Sequence, residues 1–353
     1  MIILGIETSC DETAASIVRA DNGCFQVVSN VVASQVKTHA KYGGVVPEVA
    51  ARLHIQKILP IIESALENAK VKIENVDCIA VCAGPGLMSS LLIGVETAKT
   101  LAMVLHKPLI RTNHIEGHLY SVFAGKNDAE QKIRFPAIAL VVSGGHSQII
   151  LMKDFLKYKL IGETRDDAAG EAFDKAAKIM DLGYPGGPAI SNEADKLDGR
   201  TSEFNIKLPR PMLNSDNFNF SFSGLKTAVL YKWRDLKLSL NKKQLERARR
   251  ELAVEFQNAV VECLVSKTMR AAQANKAKTI VLGGGVSANK ALRESLESAV
   301  AEELPRAKLL TPLMEMTGDN AAMIAIAGYF HAKGKDFIVP EELTADPNWE
   351  LVE

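Results

Sequence analysis

The sequence predicts an α/β protein built from two similar lobes. Apolar runs of strand length alternate with stretches of helical periodicity. A strand–turn–strand opening occurs twice, at 1–18 and at 137–152, roughly 135 residues apart, which suggests a duplication rather than a short-period solenoid. The chain has 353 residues, 47% of them hydrophobic, enough for about two domains with their own cores. Lys and Arg number 42 and Asp and Glu 42, so the formal charge is zero. That argues against general electrostatic capture of nucleic acid, which wants a basic surplus, and leaves room for local basic patches.

The elements follow in order. Residues 2–7 are apolar and β-rich, polar 8–13 make a small-residue turn, and 14–18 return as a second strand. A third strand is expected near 26–34. From 47 to 69, Val49, Leu53, Ile58, Ile61, Ile62, Ala65 and Leu66 fall at helical spacing. The apolar run 76–82 is a strand ending in the turn Gly84-Pro85-Gly86. A helix follows, with Ser89 or Ser90 as its cap and Leu91, Leu92, Val95, Ala98, Leu101, Ala102 and Leu105 on one face. In the second half, 137–142 is a strand, 143–147 a tight turn and 148–152 a returning strand. Residues 183–225 are irregular and rich in Gly, Pro, Asn and Ser, and a loop of that length is usually functional. A charged helical stretch covers 241–274. The strand 279–282 then leads through 283–289 into a helix over 290–301. One lobe is expected over 1–134 with a helix around 319–337, the other over 135–318 with an insertion at about 183–275.

The opening residues lack a basic stretch and a cleavage site, so no signal peptide is expected. Nor does any stretch reach the roughly 18 uncharged apolar residues of a membrane helix. The five cysteines are odd in number and scattered, as expected of reduced thiols in a cytoplasmic protein.

Three turns carry chemistry. Thr8–Glu12, Ser143–His146 and Gly283–Asn289 each follow a strand, and free amides in such turns bind phosphate oxygens. Any one alone is equally a plain hairpin or βα loop. None is G-x-G-x-x-G or G-x-x-x-x-G-K-[ST], which excludes a P-loop protein. Together, two of them opening duplicated lobes, they resemble the actin/sugar-kinase/chaperone ATPase architecture, in which nucleotide sits in a cleft between related lobes.

His114 and His118 stand at i, i+4, so on a helix both point to one face and can share one metal, or else one or both are capping or buried structural residues. Glu116 would lie about 200° round that helix from His114 and face away. A metal site survives this geometry, whereas a zinc protease loses its general base. Asp319, opening an apolar helix, reads either as a third ligand or as an N-cap. Two histidines and one carboxylate suit iron(II) or zinc(II).

These segments also resemble one family. Gly5-Ile6-Glu7-Thr8-Ser9-Cys10-Asp11-Glu12-Thr13, His39-Ala40-Lys41-Tyr42-Gly43-Gly44-Val45-Val46-Pro47-Glu48, the histidine motif, Val142-Ser143-Gly144-Gly145-His146, Asp174-Lys175-Ala176-Ala177, Gly186-Gly187-Pro188, Phe220-Ser221-Phe222-Ser223-Gly224-Leu225-Lys226-Thr227-Ala228, Gly284-Gly285-Val286-Ser287-Ala288-Asn289 and Gly318-Asp319-Asn320 run nearly end to end. They resemble the tRNA adenosine threonylcarbamoyl-transfer family, once misnamed a sialoglycoprotein endopeptidase, in its bacterial form. The resemblance implies transfer of a threonylcarbamoyl group from threonylcarbamoyl-adenylate to N6 of adenosine 37 in tRNAs reading codons that begin with A. It implies a divalent metal, iron(II) ahead of zinc(II), on His114, His118 and Asp319. It places the adenylate on Val141, Val142, Ser143, Gly144, Gly145, Asp174, Gly187 and Asn289. Ser191 stands where some members have Asp. The implied partners are tRNA, a paralogous inactive subunit, a P-loop ATPase subunit and a separate enzyme that makes the adenylate.

Adenine N6 is a poor nucleophile, so positioning should supply much of the rate. Asp11 and Glu12 are candidates for taking its proton, or else turn carboxylates with local hydrogen bonds. His146 is a catalytic candidate or a structural turn residue. Basic clusters for tRNA are Lys37, His39, Lys41 and Arg52, and Lys242, Lys243, Arg247, Arg249 and Arg250. The rival readings are a metalloprotease and a non-catalytic nucleotide-binding partner, although the latter would lack the metal ligands.

Overall fold

A computed structural model describes residues 1–125, 132–197 and 202–351. The chain divides into two compact units. The first holds Met1–Arg134, Lys153–Lys159 and Leu310–Glu353, and the second Phe135–Met152 and Leu160–Leu309.

The first unit carries strands β1 (Ile2–Glu7), β2 (Glu12–Asp21), β3 (Cys24–Ser34), β4 (Cys78–Gly84) and β5 (Leu109–Asn113) in the order β3-β2-β1-β4-β5. β1 is antiparallel to β2 and parallel to β4. The remaining strands are β6 (Ala137–Val142), β7 (Ser147–Asp154), β8 (Lys157–Glu163), β9 (Thr279–Gly283) and β10 (Lys308–Leu310), in the order β8-β7-β6-β9-β10. β6 is antiparallel to β7 and parallel to β9. The two sheets therefore share one plan: a central strand with a hairpin partner on one side and a parallel partner on the other. Strands β5, β8 and β10 lie where no strand is expected, because runs of three to seven residues, short or of mixed polarity, carry little periodic signal.

The helices are α1 (Val36–His39), α2 (Pro47–Ala69), α3 (Met88–Leu105), α4 (His114–Tyr120), α5 (Ala169–Ile179), α6 (Gly186–Ala194), α7 (Ser223–Ser239), α8 (Lys242–Ala274), α9 (Lys290–Glu303) and α10 (Ala321–Lys333). α2 packs its buried Ile58, Ile62 and Ala65 into the core under the first sheet, beside Val95 and Ala98 of α3. α3 begins two or three residues earlier than expected. Its N-cap is Leu87, without a side-chain bond, so neither Ser89 nor Ser90 caps it. Ser90 is instead buried, and its carbonyl accepts from Thr8 Oγ1 at 2.9 Å. α3 is also the only described helix long and apolar enough by composition to cross a membrane, and a third of it is buried in the protein. α8 starts on a capping box between Asn241 and Gln244. α6 lies inside the stretch expected to be irregular. Gly-Gly-Pro reads as a turn, but the Gly186 amide donates to Asp174 Oδ1 at 2.6 Å and Ile190 is fully buried in the second core. Tertiary contacts thus start a helix that local propensity disfavours.

α10 is buried from Ala321 to Tyr329, as befits a helix apolar on every face. It packs on β1 and on α4. All five cysteines are unbridged.

Candidate metal centre and nucleotide pocket

α4 is only seven residues long. Asn113 caps it, accepting from the Ile115 amide at 2.8 Å. The helix presents His114 and His118 on one side, their rings 4.6 Å apart. Asp319 meets them from the residue before the N-cap of α10. That cap is Asn320, whose side chain accepts from the Met323 amide at 3.1 Å. The capping reading of Asp319 therefore fails, and its carboxylate faces the histidines instead. Asp319 Oδ1 lies 3.6 Å from His114 Nε2 and 3.3 Å from His118 Nε2.

The chemistry of this group fits a divalent ion. The potential ligand atoms of His114, His118 and Asp319 all lie within 4.8 Å of one another. Ligands of a tetrahedral zinc at about 2.1 Å stand roughly 3.4 Å apart. His118 is fully buried, yet both its ring nitrogens lack a hydrogen-bond partner. Burial holds His118 below the ordinary histidine range, which favours the neutral imidazole that metals need. His114 is oriented from behind: Nδ1 faces Glu7 Oε2 at 3.1 Å, and Glu7 is fully buried. Burial depresses His114, but Asp319 and Glu7 outweigh it and hold the imidazole up to about 9; with a metal bound, Nδ1–H donating to Glu7 would leave the Nε2 lone pair for the ion. Glu7, on β1, was not anticipated; its place at the end of an apolar strand was the available signal.

The turn after β1 carries Asp11 and Glu12. Burial, with Asp319 and Asp11 nearby, pushes Glu12 up to about 9. Three carboxylates thus crowd one another beside the histidines. His54, also not anticipated, anchors this turn: its Nδ1 lies 2.8 Å from Thr13 Oγ1 and its Nε2 lies 3.0 Å from the Cys10 carbonyl.

Glu116 lies off the metal side. One carboxylate oxygen is 2.6 Å from His331 Nε2, and the other accepts from Tyr158 at 2.6 Å. Burial depresses His331, but Glu116 and Asp336 outweigh it and hold the imidazole at about 9. The folded state therefore keeps a proton that the unfolded chain releases near pH 6.5. Stability from this group is complete below that pH and is lost as pH rises toward 9, by up to about 3 kcal/mol. The groups facing His331 are Glu116 of α4 and Asp336, with Tyr158 across Glu116. Thermal melts from pH 6 to 9.5 should show this decline, and His331→Gln should reduce it, leaving the part that comes from His114 and Glu12, both also held up to about 9.

The second unit holds a cavity of 360 Å³, lined by residues that include Gly144, Asp174, Gly187, Ser191, Gly285 and Asn289. That size suits a nucleotide-sized ligand. Of the residues expected around the adenylate, Gly144, Asp174, Gly187 and Asn289 line it. Val141, Val142, Ser143 and Gly145 do not. Val141 and Val142 belong to β6 and are buried, because a central strand turns its side chains into the core. Ser143 and Gly145 flank Gly144 in the turn, where the Ser143 amide donates to the His146 carbonyl at 2.8 Å. His146 closes that turn through its backbone, and its own amide donates to Ser143 Oγ at 3.2 Å. Asn289 caps α9 with its oxygen and donates through Nδ2 to Ser191 Oγ at 3.0 Å and Gln257 Oε1 at 2.9 Å. Ser191 in turn donates to Gln257 at 2.9 Å. Gln257, on the long charged α8, carries no sequence signal that separates it from its solvated neighbours.

The basic clusters fare unequally. His39 is fully buried, its ring 3.1 Å from Gln35 Oε1 and accepting from the Val46 amide, so it leaves the first cluster. Lys37, Lys41 and Arg52 are exposed. In the second, Arg249 and Arg250 share Glu193 at 3.1 and 3.9 Å, and Arg247 meets Glu203 at 2.6 Å. Acidic neighbours offset much of its charge.

Comparison with known proteins adds a family and a fold. The sequence profile described as tRNA N6-adenosine threonylcarbamoyltransferase matches residues 26–326. A protein of that name from Listeria innocua is 48% identical over 327 residues, 93% of this chain and 90% of its own length. Its namesake from Syntrophomonas wolfei is 46% identical over 347 residues, covering 98% and 97%. Among solved structures, HypF of T. kodakarensis superposes with a TM-score of 0.58 at 12% identity, over 97% of this chain. A full-length HypF in a phosphate- and nucleotide-bound form gives 0.57 at 13%, over 96%. The chain spans about half the length of each, 49% and 47%. That likeness shows the fold, α/β lobes of the actin/sugar-kinase/chaperone type.

Proposed function

The chain belongs to the tRNA N6-adenosine threonylcarbamoyltransferase family, and from that premise we propose that it moves a threonylcarbamoyl group from threonylcarbamoyl-adenylate to N6 of adenosine 37 in tRNAs reading codons that begin with A. The observation that carries the metal-assisted form of this reading is the meeting of His114, His118 and Asp319, with both ring nitrogens of the buried His118 lacking a hydrogen bond. A divalent ion held there, iron(II) ahead of zinc(II), would supply Lewis-acid polarisation of an acyl or phosphoryl oxygen.

The chain's own residues account for the rest. The donor is a mixed carbamic–phosphoric anhydride, so its carbonyl is electrophilic and AMP is a good leaving group. Asn289 and Ser191, tied together through Gln257, present fixed polar groups to the nucleoside, and Asp174 and Gly187 form the facing wall. The amides of Gly144 and Gly145 are proposed to hold phosphate, while that of Ser143, which donates to the His146 carbonyl, shapes the turn. Asp11 and Glu12, on the turn beside Asp319, are the groups proposed to take the proton that N6 loses, Glu12 only once its own proton, held up to about 9, has left. His146, at the end of the same glycine turn, is a further catalytic candidate. Adenosine 37 lies in a single-stranded loop, where its base is free to be splayed out. Lys37, Lys41 and Arg52 are the exposed cations proposed to meet the tRNA backbone. A paralogous inactive subunit, a P-loop ATPase subunit and the upstream adenylate-forming enzyme are the proposed partners, and the compartment is the cytoplasm.

The metalloprotease reading finds no support, because both oxygens of Glu116 are engaged by His331 and Tyr158. The test supplies the chain and its partners with ATP, labelled threonine, bicarbonate and unmodified tRNA, then digests the tRNA to nucleosides. Labelled N6-threonylcarbamoyladenosine is the expected product. A complete mixture that leaves adenosine 37 unmodified would sink the reading.

A further inference from the structure

We propose that Glu116 is a positioning residue for the metal ligands, pinning α4 to α10 through His331 so that His114 and His118 meet Asp319 in one register. The proposal rests on the metal reading above and concerns only how this chain holds its ligands.

The ligands come from two helices that are distant in sequence. α4 has seven residues, too few to hold its own geometry without tertiary support. α10 follows directly on Asp319 and Asn320. The contact between the helices is apolar and close. A Cβ on Gly117 would stand 3.0 Å from Ile324 Cδ1 and 3.1 Å from Met323 Cγ. Such a contact sets a distance between helices but leaves sliding and rotation weakly specified. A metal site tolerates errors of only about 0.2 Å in ligand distance.

Glu116 supplies a directional constraint. It sits between the two histidine ligands on α4 and points to the opposite side. Its carboxylate is nearly inaccessible, 2% exposed, with one oxygen on His331 and the other on Tyr158, both at 2.6 Å. His331 lies 12 residues beyond Asp319, about 18 Å along α10. Tyr158 also lies 2.6 Å from the hydroxyl of Tyr120, one turn further along α4. The short helix is therefore tied at two successive turns. Burying a carboxylate and an imidazolium together is a poor source of stability, since apolar residues of like volume often do as well. Setting a unique register is the use such a pair serves best.

The test measures metal binding at fixed pH, independently of transfer. Zn²⁺ affinity is read by competition with a chromophoric chelator, and coordination by the visible bands of the Co²⁺-loaded chain. The variants are Glu116→Ala, Glu116→Gln, His331→Gln and the double variant Glu116→Ala/His331→Gln. Glu116→Ala and His331→Gln should each weaken Zn²⁺ roughly tenfold or more and alter the Co²⁺ bands, with helical content kept. The double variant should be no worse than the weaker single, because both remove one link. Glu116→Gln can still bond both neighbours and should recover most of the affinity. Should Glu116→Ala fail to fold, His331→Gln and Glu116→Gln decide the matter by the same readouts. Variants that melt earlier yet bind Zn²⁺ within twofold of the parent, with the parental Co²⁺ spectrum, would overturn the proposal. A parent chain with no Zn²⁺ or Co²⁺ affinity would instead remove the metal reading on which it stands.

Discussion

His118→Ala abolishes threonylcarbamoyl transfer while leaving a folded chain. The expected loss is three orders of magnitude or more, the equivalent of about 4 kcal/mol of charge stabilisation removed from the transition state. The separation of activity from folding follows from what the side chain does not do. His118 is fully buried on α4, but neither ring nitrogen has a hydrogen-bond partner. Its removal ends the 3.3 Å contact with Asp319, which His114 still faces, and leaves a cavity costing roughly 2 kcal/mol or somewhat more. Asp319 would then face His114 alone, with Asp11 and Glu12 still close by. The measurement pairs nucleoside analysis of tRNA with the zinc and iron content of the purified chain. Retention of transfer within tenfold of the parent, at equal protein, would contradict the role given to this ring.

Gly284→Ala has the second large effect, on the nucleotide pocket and on stability together. Gly284 sits at φ +88°, where an L side chain is strained, and its Cβ would come within 2.3 Å of the Val142 carbonyl oxygen. That neighbour is the backbone at the end of the central strand β6, fully buried, paired with Ser147 of β7 and one residue beyond the pairing of Val141 with β9, so it has little room to move. Strain of about 1–3 kcal/mol adds to the collision, and the turn carrying Gly285 to Asn289 must shift. Asn289 would lose its alignment with Ser191 and Gln257. AMP binding by calorimetry should weaken at least tenfold, and the melting temperature should fall clearly. An alanine variant with parental melting and parental AMP affinity would show that this turn does not shape the pocket.

Much of the candidate site is legible in the sequence because its logic is local. An i, i+4 spacing places His114 and His118 on one face and Glu116 off it whatever the rest of the fold does. Strand–turn–strand patterning locates both central hairpins, since alternation and small-residue turns are properties of a few consecutive residues. Other features are decided at a distance. Whether Asp319 caps α10 or faces the histidines depends on Asn320, one residue on, taking the cap. His39 belongs to a basic string in the sequence, yet the fold buries it on Gln35 and Val46. Helix α6 begins on glycines because Asp174 holds the Gly186 amide, a contact between residues 12 apart.

From residues alone came the two-lobed α/β plan, the histidine face, the glycine turns and the family. Only the folded chain revealed Glu7 behind His114, Gln257 beside Asn289 and the bond from Glu116 to His331. The division is physical: dihedral preference and periodicity act over a handful of neighbours, whereas the partner of a buried polar group is chosen by which distant elements pack against it.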